Sequence, residues 1–124
     1  FVVDEDMPAL YSGATLFAFT PIYEGFGMSP VEAYACGTPV VASDVASVPE
    51  AAGGAAVYVD PFDTNDIADK IHTTLKDLEQ DPTRFDKRIK KHLERLNWRD
   101  SAESTTAALT GQPKSSFQNH KGSE

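Results

Sequence analysis

"ATLFAFTPIYEGFGMSPVEAYACGTPVVAS", residues 14 to 43, carries the reading of the fold. It opens on a nearly continuous apolar run, "ATLFAF" at 14 to 19, which is the pattern of a strand covered on both faces. Pro21 and Gly25 then break the chain into a loop. Ser29-Pro30-Val31-Glu32 has the form of a helix start, with Ser29 as cap and Pro30 at the first helical position. Glu32 falls where a capping box puts its carboxylate. "CGTP" ends that helix with a glycine and then a proline. "PVVAS", residues 39 to 43, returns as a strand. Strand, loop, helix and strand in that order predict a βα unit with parallel strands.

The device recurs downstream. Ser47-Val48-Pro49-Glu50 repeats the S-x-x-E spacing, and "AAVYV", residues 55 to 59, is a third strand. "DPFD" turns the chain into a helix over about 65 to 80, with Ile67, Ile71, Leu75 and Leu78 on one stripe. Asp81-Pro82 starts another, with Phe85, Ile89, Leu93 and Leu96 at helical spacing. Asn97 caps a last helix through Leu109. "GQPKSSFQNHKGSE" has no periodicity, so residues 111–124 read as a flexible tail or linker and 1–110 as the folded part. Three strands fall short of the six or so in doubly wound nucleotide-binding sheets. An apolar parallel edge strand needs cover. The chain is therefore expected to be part of a longer domain, its edge covered by a missing upstream part of the same polypeptide or by self-association. Phe1-Val2-Val3, reading as the tail of a strand, fits the same expectation.

Bulk properties narrow the partners. A length of 124 residues with 40% hydrophobic content fits one globular domain. The net charge of −8 argues against nucleic-acid binding across the surface. Cys36 is alone, so no internal disulfide and no CxxC zinc pair arise, and a reducing compartment is favoured. No stretch has the length of a membrane span or the series of a signal peptide. A cytoplasmic location is expected, with contact at the inner face of a membrane as its variant. Arg84, Lys87, Arg88, Lys90, Lys91 and Arg95 face only Asp86 and Glu94 in their segment. They read first as a solvated helix face and second as a peripheral membrane contact with anionic lipid. His72, His92 and His120 lack metal spacing, and Asp4 and Asp6 form no calcium loop, so neither metal nor cofactor is expected. Tyr11, Tyr34 and Phe85 read as core or interdomain contacts, and Trp98 as a pin for the last helices.

The chemistry gathers in residues 24 to 32. Early N–H groups of a helix have no partner within it and can donate to a phosphate, with help from the helix dipole. Gly25 and Gly27 let the backbone approach a ligand. The plainer alternative is that the glycines merely shape the turn and Ser29 caps it. Glu24 follows a parallel strand at the carboxyl end, where open α/β sheets hold ligands. It reads as a group for sugar hydroxyls or as a solvated loop residue. Glu32 can complete the capping box or take two vicinal ribose hydroxyls, and spacing alone favours the cap.

Beyond these local patterns, the segment from "LYSGATLFAF" through "EGFG", "EAYACGTPVV", "VPE" and "VDPFD" resembles the retaining glycosyltransferases of family 4. Glu24 and Glu32 meet that family's E-x7-E signature, and the likeness covers about Asp4 to Asp63, continuing weakly to Trp98. It implies a fold that is α/β, part of a Rossmann-like parallel-sheet domain, namely the carboxyl-terminal domain of the two-domain GT-B type. It implies transfer of a hexose from a nucleotide diphosphate sugar to a carbohydrate or lipid-linked acceptor, with retention and without a metal. By the same resemblance Glu24 is the catalytic residue at the donor hexose. Gly25, Phe26, Gly27 and Met28 would offer backbone groups, and Ser29 and Val31 would line the diphosphate-binding helix start. Glu32 would hold the ribose. Thr20-Pro21 departs from the family's proline-serine. The family's arginine and lysine on the diphosphate belong to an upstream segment and match nothing here, so the chain alone is expected to be inactive. The rival is a noncatalytic sugar-nucleotide-binding or scaffolding module.

Overall fold

The computed structural model of the chain describes residues 1–111. The segment read as a tail, apart from Gly111, lies outside the described residues. There are two compact units, one spanning Phe1–Leu93 and one beginning at Glu94. The first opens with a 3₁₀ turn at Asp4–Asp6, followed by α1 (Met7–Gly13), β1 (Phe17–Phe19), α2 (Met28–Ala35) and β2 (Val40–Ser43). It continues with α3 (Val48–Ala52), a 3₁₀ turn at Gly53–Ala55, β3 (Val57–Val59), α4 (Thr64–Gln80) and α5 (Asp86–Leu93). The second unit holds α6 (Trp98–Thr110).

The sheet is parallel, in the order β1-β2-β3, with Phe17 opposite Val40 and Val41 opposite Val57. Parallel neighbours need a crossover between them, and the segments carrying α2 and α3 supply the two. The central strand β2 is buried along its whole length. Val40 and Ala42 on one face join a core with Tyr11, Tyr34, Val48, Leu78, Phe85 and Ile89. Val41 and Ser43, on the other face by the two-residue period, are also buried. The α/β reading with parallel strands is what the structure has.

Strand β1 departs from expectation. It pairs over three residues only, Ala18 is exposed, and Phe17 and Phe19 are half-buried. An apolar run can make a strand, but cover on both faces depends on neighbours, and β1 sits at the edge of the sheet.

The helix endings follow the sequence closely. At the end of α2, Gly37 takes a left-handed φ of 82°. Its N–H donates to the Tyr34 carbonyl and the Thr38 N–H to the Ala33 carbonyl, both at 2.9 Å. This is the paired bonding of a Schellman motif, which satisfies carbonyls the helix leaves open. The Thr38 hydroxyl donates to the Tyr11 carbonyl at 2.6 Å and so ties the end of α1 to the exit of α2. On α4, Ile67, Ile71 and Leu75 are half-buried and Leu78 is buried, with Thr74 joining their stripe.

Phe85, just before α5, and Ile89 within it are buried as expected. Leu96, expected on their stripe, lies beyond the helix, which stops at Leu93. His92 takes an inward place instead. It is buried, its Nε2–H donates to the Ala51 carbonyl at 2.7 Å, and its ring packs edge-on to Tyr34 with centroids 5.8 Å apart. A Cβ at Gly53 would run into that ring, so glycine there is a packing requirement. Burial, with the Tyr58 phenol next in weight, raises the Tyr34 hydroxyl above its ordinary value, and among the described residues that buried oxygen has no partner.

In the second unit, Asn97 caps α6 by accepting from the Asp100 N–H at 2.8 Å. None of its residues is buried. Trp98, expected as a packing residue, is exposed.

Candidate functional site

The loop after β1 and the loop after β2 meet at the carboxyl edge of the sheet. Ser43, the last residue of β2, donates its hydroxyl to the Pro21 carbonyl at 2.6 Å. Ser47 donates to the Glu24 carbonyl at 3.0 Å. Between them Ala46 holds a left-handed φ of 49°, a conformation that costs a residue with a side chain on the order of 1 kcal/mol and is kept only where surroundings enforce it. Two serines and one strained alanine thus fix the backbone that carries Glu24.

Both S-x-x-E boxes fail as caps. Helix α2 begins at Met28, two residues earlier than the spacing predicts, and no side chain caps it. Its cap position is Gly27, left-handed at φ 86° and ψ 64°. Ser29 lies inside the first turn. Ser47 does stand at the cap of α3, but its side chain makes no capping bond, because its hydroxyl is committed to Glu24. The local pattern names residue types that can cap, and tertiary partners outcompete it in both cases.

The expected ligand groups divide into engaged and open. Glu24 is half-buried and its Oε1 accepts the N–H of Gly25 at 2.9 Å, so Gly25 is not an open donor. Its Cγ lies 3.4 Å from where a Cβ on Gly27 would stand, so the glutamate folds over the helix entrance. Phe26 and Met28 are exposed, Ser29 and Val31 are half-buried, and Gly27 and Pro30 are buried. The first-turn N–H groups of α2 have neither a helical acceptor by geometry nor a side-chain cap.

Glu32 is exposed and free of the capping box. Its Oε2 accepts the Tyr11 hydroxyl at 3.2 Å. Tyr11 comes from the last turn of α1, is buried, and sets its ring edge-on to Phe17 with centroids 5.2 Å apart. Burial first, then the Glu32 charge, lift the phenol above its ordinary value, and the Ser29 hydroxyl as hydrogen-bond partner works the other way. Sequence reading took Tyr11 only as a core or interdomain packing residue. The contact spans 21 positions, and no local spacing announces it.

An open depression of about 480 Å³ lies past the carboxyl ends of β2 and β3, lined by Asp44, Val45, Tyr58, Asp60, Asp66 and Lys70 among others. It includes neither Glu24 nor Glu32. Three carboxylates around one lysine repel a diphosphate, so this cavity is no rival for an anionic ligand. Among the described residues no group of three or more His, Cys, Asp or Glu is arranged to hold a metal, and no helix is long and apolar enough to cross a membrane.

Comparison with known proteins adds an independent line. The sequence model of the family described as glycosyl transferases group 1 matches residues 1–92. O-antigen chain mannosyltransferase B of Escherichia coli is 46% identical over 77 residues, which are 62% of this chain and 20% of that protein. Mannosylfructose-phosphate synthase of Agrobacterium fabrum is 42% identical over 69 residues, 54% of this chain and 15% of that protein. D-inositol 3-phosphate glycosyltransferase of Mycolicibacterium smegmatis is 33% identical over 108 residues, 86% of this chain and 24% of that protein. The chain thus spans a quarter or less of each of these relatives. No solved structure matches it significantly.

Proposed function

The chain belongs to the group 1 glycosyl transferases, and from that premise we propose that it forms the donor-binding half of an enzyme moving a hexose from a nucleotide diphosphate sugar to an acceptor. Its α/β parallel-sheet, Rossmann-like fold is that of a GT-B carboxyl-terminal domain. The observation that carries the reading is the uncapped, glycine-led start of α2 between Glu24 and Glu32. A helix start without a side-chain cap suits a diphosphate, whose oxygens accept the first-turn N–H groups and sit at the positive end of the helix dipole.

In this reading Phe26, Gly27 and Met28 offer main chain to the hexose or diphosphate, and Ser29 and Val31 line the diphosphate. Glu32 holds the ribose. Glu24 releases the Gly25 N–H as the donor enters, so that its carboxylate turns to the sugar hydroxyls and the amide turns to the ligand. As the bond to the departing phosphate breaks, positive charge grows on the sugar carbon and negative charge on the phosphate. The α2 amides stabilise the second and Glu24 the first. Transfer proceeds with retention, as in the family 4 enzymes that the E-x7-E signature resembles. Mannose is the favoured hexose, supported by the mannosyltransferase names of several relatives. The acceptor is a carbohydrate or a lipid-linked sugar, bound by parts of the polypeptide outside this chain, on the cytoplasmic side. The lysine face of α5, Lys87, Lys90 and Lys91, all exposed, is suited to peripheral contact with anionic lipid. The open sheet edge at β1 is met by the upstream part of the polypeptide or by self-association.

The test is isothermal titration of the intact polypeptide with uridine, adenosine and guanosine diphosphates, alongside Glu32→Ala. Binding that weakens on that change is the expected result, and binding indifferent to it removes the ribose assignment. Donor turnover, followed as nucleotide diphosphate released in the presence of acceptor, separates an enzyme from a noncatalytic binding module.

A further inference from the structure

Glu32 raises a problem that the E-x7-E spacing does not solve. An exposed glutamate on the first turns of a helix samples several rotamers, and holding one of them costs side-chain entropy. A carboxylate that grips two vicinal hydroxyls needs to be held beforehand. Once the capping box is absent, nothing on α2 itself holds it.

We infer that Tyr11 is a positioning residue for the donor site: its hydroxyl fixes the Glu32 carboxylate in the orientation that receives the ribose hydroxyls of a nucleoside diphosphate. This inference rests on the ribose assignment proposed above and adds the element that makes it work. The hydroxyl donates to Oε2 at 3.2 Å, which occupies one lone pair of that oxygen and leaves Oε1 and the remaining lone pairs to accept two ligand hydroxyls. The donor is itself immobile. The Tyr11 ring is buried, set edge-on against Phe17, and its carbonyl is bonded by the Thr38 hydroxyl at 2.6 Å. Its position therefore depends on the end of α1 and on the exit of α2, not on the loop that carries Glu24.

The experiment uses Tyr11→Phe in the intact polypeptide, which keeps the ring, the Phe17 contact and the backbone bond to Thr38. Affinity for uridine, adenosine and guanosine diphosphates is compared with affinity for their 2′,3′-dideoxy counterparts, which lack the hydroxyls that Glu32 takes. The expected result is a loss of about three- to tenfold for the ribose forms, as for one hydrogen bond to a charged group at a partly open site, with the dideoxy forms unchanged. Chemical denaturation checks that the variant is folded. Equal losses for ribose and dideoxy forms make Tyr11 merely structural and overturn the inference, as does no loss for either. Glu32→Ala runs in parallel. If it leaves the preference for ribose intact, the ribose assignment itself falls. If it abolishes that preference while Tyr11→Phe does not, only the positioning role falls.

Discussion

Two helix starts in this molecule read alike in sequence and differ in what they do. At α4, Asp63 accepts the N–H groups of Asn65 and Asp66 at 2.8 and 3.2 Å. That start is satisfied by its own chain. At α2 a better-looking capping sequence, Ser29-Pro30-Val31-Glu32, caps nothing, and the helix begins on a left-handed glycine. Ser29 has been drawn into the helix and Glu32 toward Tyr11. A helix that spends its first amides on an aspartate is stable without help. One that leaves them unspent forgoes about 1 kcal/mol of capping and keeps a place for an anion. On the proposed reading, the difference separates a structural helix end from a binding one.

Four changes break or sharpen that contrast. Glu32→Ala has the largest expected effect, a fall in nucleoside diphosphate affinity of about ten- to a hundredfold with folding stability nearly unchanged, read by titration and denaturation together. A loss of stability in place of affinity makes Glu32 a structural group and erases the contrast. Gly27→Ala comes next. The added Cβ meets Glu24 Cγ at 3.4 Å and Phe19 Cε1 at 3.5 Å, ordinary contacts, so its cost is conformational. A left-handed alanine costs about 1–2 kcal/mol, seen as a lower denaturant midpoint, and nucleotide affinity falls with it as the first turn shifts.

Asp63→Ala reverses the pattern. It removes the cap of α4 and costs about 1 kcal/mol of stability, while nucleotide affinity holds. Equal weakening of nucleotide binding by Asp63→Ala and Glu32→Ala dissolves the distinction between the two helix starts. The smallest effect belongs to Lys87, Lys90 and Lys91 changed together to Gln. Stability moves by less than about 0.5 kcal/mol, since all three are exposed. Sedimentation with anionic vesicles reports on the lipid contact, and a triple variant that sediments like the parent removes it.

The parallel order of the strands, the glycine-led end of α2 and the stripes of α4 and α5 were legible because each rests on local rules. Strand and helix periods, Gly37 beside Pro39, and Asn97 before α6 need no distant partner. The readings that failed involve competition. Ser47 is a plausible cap until the Glu24 carbonyl stands 3.0 Å away, and β1 a two-sided strand until the sheet order makes it an edge. The inward packing of His92 had no local signal, because its partners, Ala51, Gly53 and Tyr34, come from other elements.

From sequence alone came the α/β class, the family likeness and the two glutamates that bracket a glycine-rich turn. Those follow from residue types and short spacings, which the backbone obeys wherever the segment goes. Tertiary structure alone decided that neither capping box forms and that Tyr11 reaches Glu32 across 21 positions. A side-chain oxygen takes whichever donor folding brings nearest, and for distant donors that choice is settled only when α1, α2 and the strands have packed.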